Sequence, residues 1–328
     1  GDALAGEVVM NKWSNMHERV ESYLHTRRSV GYVLHIDGMQ LQQFASFADE
    51  RGHYGHITID LAIAWVASSQ RSNRIGYARR LERVRNLAKY CVLFEPETEI
   101  PPPHLFGPAH RRLAPYIYSD QEILHLLETA DRLPSEQGMR PATMRCLLGL
   151  LAATGLRVSE ALRLTRNDVD LSQGLLLVRH TKFRKTRYVP LHPTVCEALR
   201  DYACFRDQRL PVAQDTEFFL LDDGRALGYW QARYAFRCIQ ALLGWDTRAS
   251  NRRPRLYDLR HTFACRRLLT WYEEGADANQ LIPLLATYLG HVKVTYTYWY
   301  LTGIPALMKV VAARFEQQAQ RHSGRESS

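Results

Sequence analysis

Apolar residues recur at helical spacing through most of this chain, and Gly, Pro and polar clusters punctuate them. Residues 10–95 read as helix almost throughout. Amphipathic stretches cover 14–25 and 39–49. Thr58 is placed to cap a helix over 59–68, and Ser72 to cap a long basic helix that ends near Cys91. The character then changes. Pro96, Pro101, Pro102, Pro103 and Pro108 fall within residues 96–114, and Pro115 follows. Prolines at that density remove the amide donors a helix needs, so the stretch reads as an extended interdomain linker.

From 115 to 320 the pattern is mixed. Ser119 with Glu122 makes a capping box for a helix to about Ala130, and Pro141 opens another to about Ala153. Residues 175–178 and 187–191 alternate or run apolar as short strands, and the polar residues 180–186 between them are most simply a hairpin turn. Pro193 opens a helix to about Arg206, 217–221 is strand-like, and helices follow at 228–243, 258–274 and 278–289. Residues 304–318 form a further amphipathic helix with Leu307, Val310, Val311 and Phe315 on one side, and 321–328 are a flexible polar tail. The expected fold is mainly α with a small β-sheet (α+β): a helical domain over 10–95, a linker over 96–114 and a second domain over 115–320.

Composition narrows the class. With 328 residues and 46% hydrophobic content, the chain can bury two cores without disulfides or metals. No apolar run reaches the roughly 18–20 residues of a membrane span, and residues 1–9 lack the features of a secretory signal. The six cysteines show no CxxC spacing, which fits reduced thiols in a cytoplasmic protein. Lys and Arg number 43 against 34 Asp and Glu, a net charge of +9 with a pI near 9.3. That balance suits a polyanion, because each basic contact to a phosphate releases counterions. The helix ending at Cys91 carries Arg74, Arg79, Arg80, Arg83, Arg85 and Lys89, either a solvated face or one laid along a phosphate backbone.

Four separated segments carry candidate chemistry. Arg157 stands just after Gly155 between two apolar helical stretches. Lys182, Arg184 and Lys185 lie in the hairpin turn. Arg260 sits in the first turn of the helix over 258–274, next to His261. Leu289-Gly290-His291 ends a helix, and Tyr300 follows nine residues later. An arginine fork matches two non-bridging phosphate oxygens, and two forks can hold a phosphodiester and stabilise its pentacoordinate transition state. Tyrosine can serve as an oxygen nucleophile that retains a covalent intermediate, and lysine can protonate a leaving alkoxide. No carboxylate cluster suited to Mg²⁺ accompanies these groups in the sequence, so no metal or other cofactor is expected.

In this order and spacing the segments resemble the tyrosine recombinase (phage integrase) family. Residues 154–164 resemble its first arginine motif, Arg260-His261-Thr262 its second, and Leu289-Gly290-His291 its LGH segment. Tyr188-Val189-Pro190-Leu191 resembles the end of the hairpin that carries the active-site lysine, and the helical N-terminal part resembles the core-binding domain. The resemblance implies that 115–320 is a catalytic domain and that DNA with specific recombination sites is the substrate. Arg157 and Arg260 would grip the scissile phosphate, Tyr300 would attack it, and Lys182 would protonate the leaving 5′-oxygen, with Lys185 as the fallback. His291 would donate a hydrogen bond, and Glu160 would buttress Arg157. Tyr257 stands where relatives usually have His, sometimes Lys, and a phenol is a poor base at neutral pH. Tyr296 and Tyr298 remain alternative nucleophiles.

The resemblance further implies four protomers on two duplexes, self-association through the C-terminal helix, accessory recombinases or other proteins as further partners, and a cytoplasmic, nucleoid-associated setting of prokaryotic, phage or transposon origin. No arm-binding domain is evident before residue 10, which points to a simple recombinase of a mobile element. The alternatives are a catalytically silent DNA-binding relative, a type IB topoisomerase and a telomere resolvase.

Overall fold

The computed structural model describes residues 12–70, 73–110, 115–179, 186–211, 215–245, 254–291 and 293–302. Two compact units divide between Leu113 and Ala114. The architecture is the mainly helical one expected, with one small antiparallel sheet. Among the described residues no helix is long and apolar enough to cross a membrane.

The first unit packs four helices, α1 (Met16–Ser29), α2 (His35–Asp49), α3 (Ile59–Ala67) and α4 (Arg74–Cys91). Asn15, Thr58 and Asn73 cap α1, α3 and α4 by accepting hydrogen bonds from first-turn amides. The cap of α4 is thus Asn73, one residue after the Ser72 expected. Met16, Val20, Phe44, Trp65, Val84 and Leu87 fill the core. Into it the chain buries one ion pair, Arg19 with Glu95, joined by two hydrogen bonds of 2.8 Å. A bidentate fork is the geometry in which a buried pair recovers most of its desolvation cost.

Among its described residues the proline-dense stretch holds no helix, as expected, but through Ala109 it is fastened to this unit rather than free. Glu99 N–H donates to Ile57 O at 2.8 Å, and its carboxylate accepts from Ile59 N–H at 2.6 Å. Three of the α4 arginines hold the same stretch by its carbonyls. Arg74 donates to Phe106 O at 3.3 Å, Arg79 to Ala109 O at 3.0 Å, and Arg85 to Pro101 O. The prolines explain this: they leave carbonyl oxygens exposed that no helix claims, and arginine supplies the donors.

The second unit is built on α6 (Met139–Thr154), against which α5 (Asp120–Ala130) and later helices pack. The Ser119–Glu122 capping box is present, with bonds of 3.1 and 2.8 Å. α6 starts at Met139 rather than Pro141, because Gly138 in a left-handed conformation serves as its cap. It ends at Gly155 with φ +62°, where a Cβ would lie 2.6 Å from the Phe263 ring. Glycine is therefore required, and the reversal it makes delivers the chain into α7 (Val158–Ala161).

A short turn then leads to β1 (Val169–Asp170), β2 (Leu175–Val178) and β3 (Arg187–Pro190), paired antiparallel in that order. The hairpin register places Leu176 opposite Val189, both fully buried, and Val178 opposite Arg187. β1 adds a third strand not expected from its two-residue pattern. The strand expected over 217–221 is only a pair of isolated bridges, Thr165 with Glu217 and Leu220 with Ala226. Then follow α8 (Pro193–Arg209), α9 (Tyr229–Leu242), α10 (Leu256–Glu273), α11 (Ala278–Leu289) and α12 (Thr295–Thr302). The helix expected over 304–318 lies outside the described residues.

Candidate active site

The site is organised by the C-terminus of α11. The last carbonyls of a helix have no partner within it and carry the negative end of its dipole. Here three successive carbonyls are each met by a different arginine. Arg187 donates to Tyr288 O at 2.8 Å, Arg260 to Leu289 O at 2.6 Å and Arg157 to Gly290 O at 3.1 Å. Arginines 133, 101 and 29 residues away in sequence thus converge on one turn.

Arg260, in the second turn of α10, is almost fully buried and also donates to Gly155 O at 2.8 Å. It ties the end of α6 to the end of α11. Arg157 caps α7 and is about a quarter exposed. Its Nη1 lies 2.5 Å from Glu160 Oε1, and its own N–H donates to Glu160 Oε2 at 3.1 Å. Glu160 is buried and shared: Arg187 donates to Oε2 at 2.9 Å and to Oε1 at 3.4 Å. Burial works to raise the Glu160 pKa, but hydrogen bonds and charge from Arg187 and Arg157 outweigh it and hold the carboxyl below its ordinary range. Glu160 is therefore ionised, and it fixes the rotamer of Arg157.

His291 follows Gly290, whose φ of +66° lets the chain leave α11. Its Nδ1 lies 2.8 Å from Thr297 Oγ1 on α12. Thr297 is fully buried, so this bond fastens α12 to the site. Burial, with the nearby charges of Arg260 and Arg157, pushes the His291 pKa down to about 3, and burial pushes that of His261 down to about 4. Both rings are neutral at pH 7, and His291 can donate one hydrogen bond.

These shifts carry a pH dependence of stability. The unfolded chain takes up protons on both rings near pH 6.5, before the folded one does. Their contribution to stability is full above that pH and is lost as pH falls toward 4. We expect the melting temperature to drop between pH 7 and pH 5, and His261→Gln to make that drop shallower. An identical pH dependence in the variant would contradict the assignment.

Tyr257 is exposed on the first turn of α10, its ring edge-on to His261 at 4.9 Å between centroids. It lines a cleft of about 600 Å³ together with Arg157, Arg233, Arg237 and Arg255. Arg233 and Arg237 were not singled out from the sequence, although their four-residue spacing on an amphipathic helix puts them on one face. Arg187 and Thr297 were also missed. Tyr300 lies on α12, one turn beyond Thr297. Tyr296 and Tyr298 share that helix and are both exposed, and the Tyr296 ring is 6.3 Å from that of His291.

The structure does not gather every residue proposed. Lys182, Arg184 and Lys185 lie outside the described residues. In α4, Arg74, Arg79 and Arg85 hold the proline-rich stretch. Arg80 stacks on Trp65 at 3.8 Å and donates to its carbonyl, and Arg83 pairs with Asp37. Lys89 of that set is exposed, as Arg74 and Arg79 are. Among the described residues no group of three or more His, Cys, Asp or Glu is placed to hold a metal ion.

Known proteins resemble this chain in sequence and in fold. The model of the phage integrase family matches residues 117–303. "Putative integrase/recombinase y4rB" of Sinorhizobium fredii (strain NBRC 101917 / NGR234) is 38% identical over 309 residues, 93% of this chain and 98% of that one. The XerH site-specific recombinase, solved bound to palindromic difH substrate as a post-cleavage complex, is 18% identical with a TM-score of 0.62, over 93% of this chain and 91% of that one. The Tn1549 transposon integrase, solved with transposon right-end DNA, is 15% identical with a TM-score of 0.63, over 92% and 99%. The two structures share the fold. The chain belongs to the phage integrase family and is an enzyme of the tyrosine recombinase type.

Proposed function

We propose that this enzyme recombines DNA at specific sites of a mobile element, breaking and rejoining strands through a 3′-phosphotyrosyl bond at Tyr300. The observation that carries the reading is the convergence of Arg157, Arg260 and His291 on the end of α11, with α12 bound to it through Thr297.

The Tyr300 oxygen attacks the scissile phosphorus, and the bond to the 5′-oxygen breaks. That oxygen takes a proton from Lys182 and leaves as a hydroxyl. The Arg157 and Arg260 forks neutralise the charge that grows on the non-bridging oxygens. His291, neutral and oriented by Thr297, adds a hydrogen bond. His291, its pKa pushed down to about 3, acts as a hydrogen-bond donor rather than as a base, and the Tyr300 proton passes to solvent. Rejoining reverses the step when a 5′-hydroxyl of the partner strand attacks the phosphotyrosine. Arg233, Arg237 and Arg255, in the cleft beside Arg157, are suited to the flanking phosphates. Lys89, Arg184 and Lys185 add charge for the duplex. Synapsis of two sites takes four protomers, joined through the C-terminal segment.

A nicked duplex that traps the cleaved state tests the chemistry: an SDS-stable protein–DNA adduct is expected, undiminished by EDTA. A silent DNA binder would shift the duplex and leave no adduct. Exchange between two sites, in excess over simple relaxation of a supercoiled plasmid, separates a recombinase from a topoisomerase. Tyr257→Phe removes one hydroxyl donor and is expected to slow adduct formation about 10-fold. Complete loss of the adduct would make Tyr257 indispensable instead.

A further inference from the structure

We infer that Arg187, the first residue of β3, is a positioning residue for strand cleavage, holding Glu160 and the end of α11 in the geometry that aims Arg157 and His291. The inference rests on the function proposed above and deepens it.

The geometry is specific. Arg187 is mostly buried. Its Nη2 and Nη1 donate to the two oxygens of Glu160, and its Nε donates to Tyr288 O. Its guanidinium also packs on Gly290, where a Cβ would lie 2.9 Å from Nη1. The φ of +66° is what requires glycine at 290, and Arg187 packs against that residue directly before His291. One planar group joins three parts of the unit: the hairpin strand, the turn bearing Arg157 and the helix end bearing His291. A fork of fixed shape is what such a three-way junction needs, and a lysine could make only part of it. Arg187 accordingly stands where strand position, arginine rotamer and histidine placement are set together, without needing to touch the phosphate itself.

Arg187→Met keeps an unbranched apolar stem, though a shorter one, and removes every donor. With Arg187 gone, Arg157 is the one partner left to buried Glu160 among the described residues, and Tyr288 O loses its donor. The expected result is a single-turnover adduct-forming rate about 10- to 100-fold lower, the range typical of supporting partners of directly acting groups, with DNA affinity within about twofold of wild type. Arg187→Lys, which retains charge and one or two bonds, should recover part of the rate. Because Arg187 acts through Glu160, adding Arg187→Met to Glu160→Gln should cost less than the two separate losses multiplied together. Thermal melts of all variants establish that each is folded at the assay temperature. If Arg187→Met is folded and cleaves at the wild-type rate, or if its effect multiplies independently with that of Glu160→Gln, the inference fails. If wild type itself gives no adduct, it is the proposed function that fails, so the two outcomes are distinguishable.

Discussion

Tyr300→Phe is expected to bind recombination-site DNA with wild-type affinity and to form no covalent adduct. The substitution removes one oxygen and leaves the ring. That oxygen is the only atom of the side chain that can bond to phosphorus as a nucleophile. Loss of a nucleophile within a preorganised site typically costs on the order of 10⁴-fold or more. Binding is insensitive because affinity for a duplex comes from many phosphate contacts. A gel-shift titration beside the nicked-duplex assay reads both quantities. Tyr296→Phe and Tyr298→Phe are the matched controls and should retain the adduct. Tyr298 is two residues from Tyr300, roughly 200° round the helix, so the two do not share a face. Tyr296 is the closer rival, since it is one turn back and its ring approaches His291.

Arg260→Gln should lower the cleavage rate about 10²- to 10³-fold, the usual loss when one preorganised donor is withdrawn from developing negative charge. A charged fork that is almost fully buried is costly to hold, and Leu289 O and Gly155 O are what hold it. Both carbonyls lose charge-assisted bonds in the variant, so a lower melting temperature should accompany the slower reaction. The same substitution at the more exposed Arg157 should cost less stability, because Glu160 retains Arg187 as a partner. Single-turnover rates and melts of the two variants, run together, separate charge stabilisation from scaffolding. Equal melting temperatures would contradict the role given to the α11 carbonyls.

The helices of both units were legible because their apolar faces repeat within a single element, and the capping box at Ser119 is a local signal. Errors fell at ends and edges. Asn73 displaced Ser72 and Gly138 displaced Pro141, since several residues near a helix start can cap it and tertiary packing selects one. Residues 217–221 look like a strand, but they make only isolated bridges. α12 was unreadable for a different reason: its run of Thr, Tyr and Trp has no polar face to mark helical period, and the bond from Thr297 to His291 is what places it. The α4 arginines were read for charge alone, whereas carbonyls of a proline-rich stretch claim three of them. Arg157, Arg260, His291 and Tyr300 were picked out by order and spacing, and the first three of them meet at the end of α11. Arg187 opens the second strand of the hairpin, yet its partners are 27 and 101 residues away, beyond any local pattern.

The covalent bond itself is the decisive observable. Wild-type protein trapped on a nicked duplex, digested with protease and nuclease, yields a peptide carrying a residual nucleotide, and tandem mass spectrometry locates it. The mass is expected on Tyr300. A nucleotide on Tyr296 or Tyr298, or a trapped complex in which no tyrosine is modified, would contradict the account.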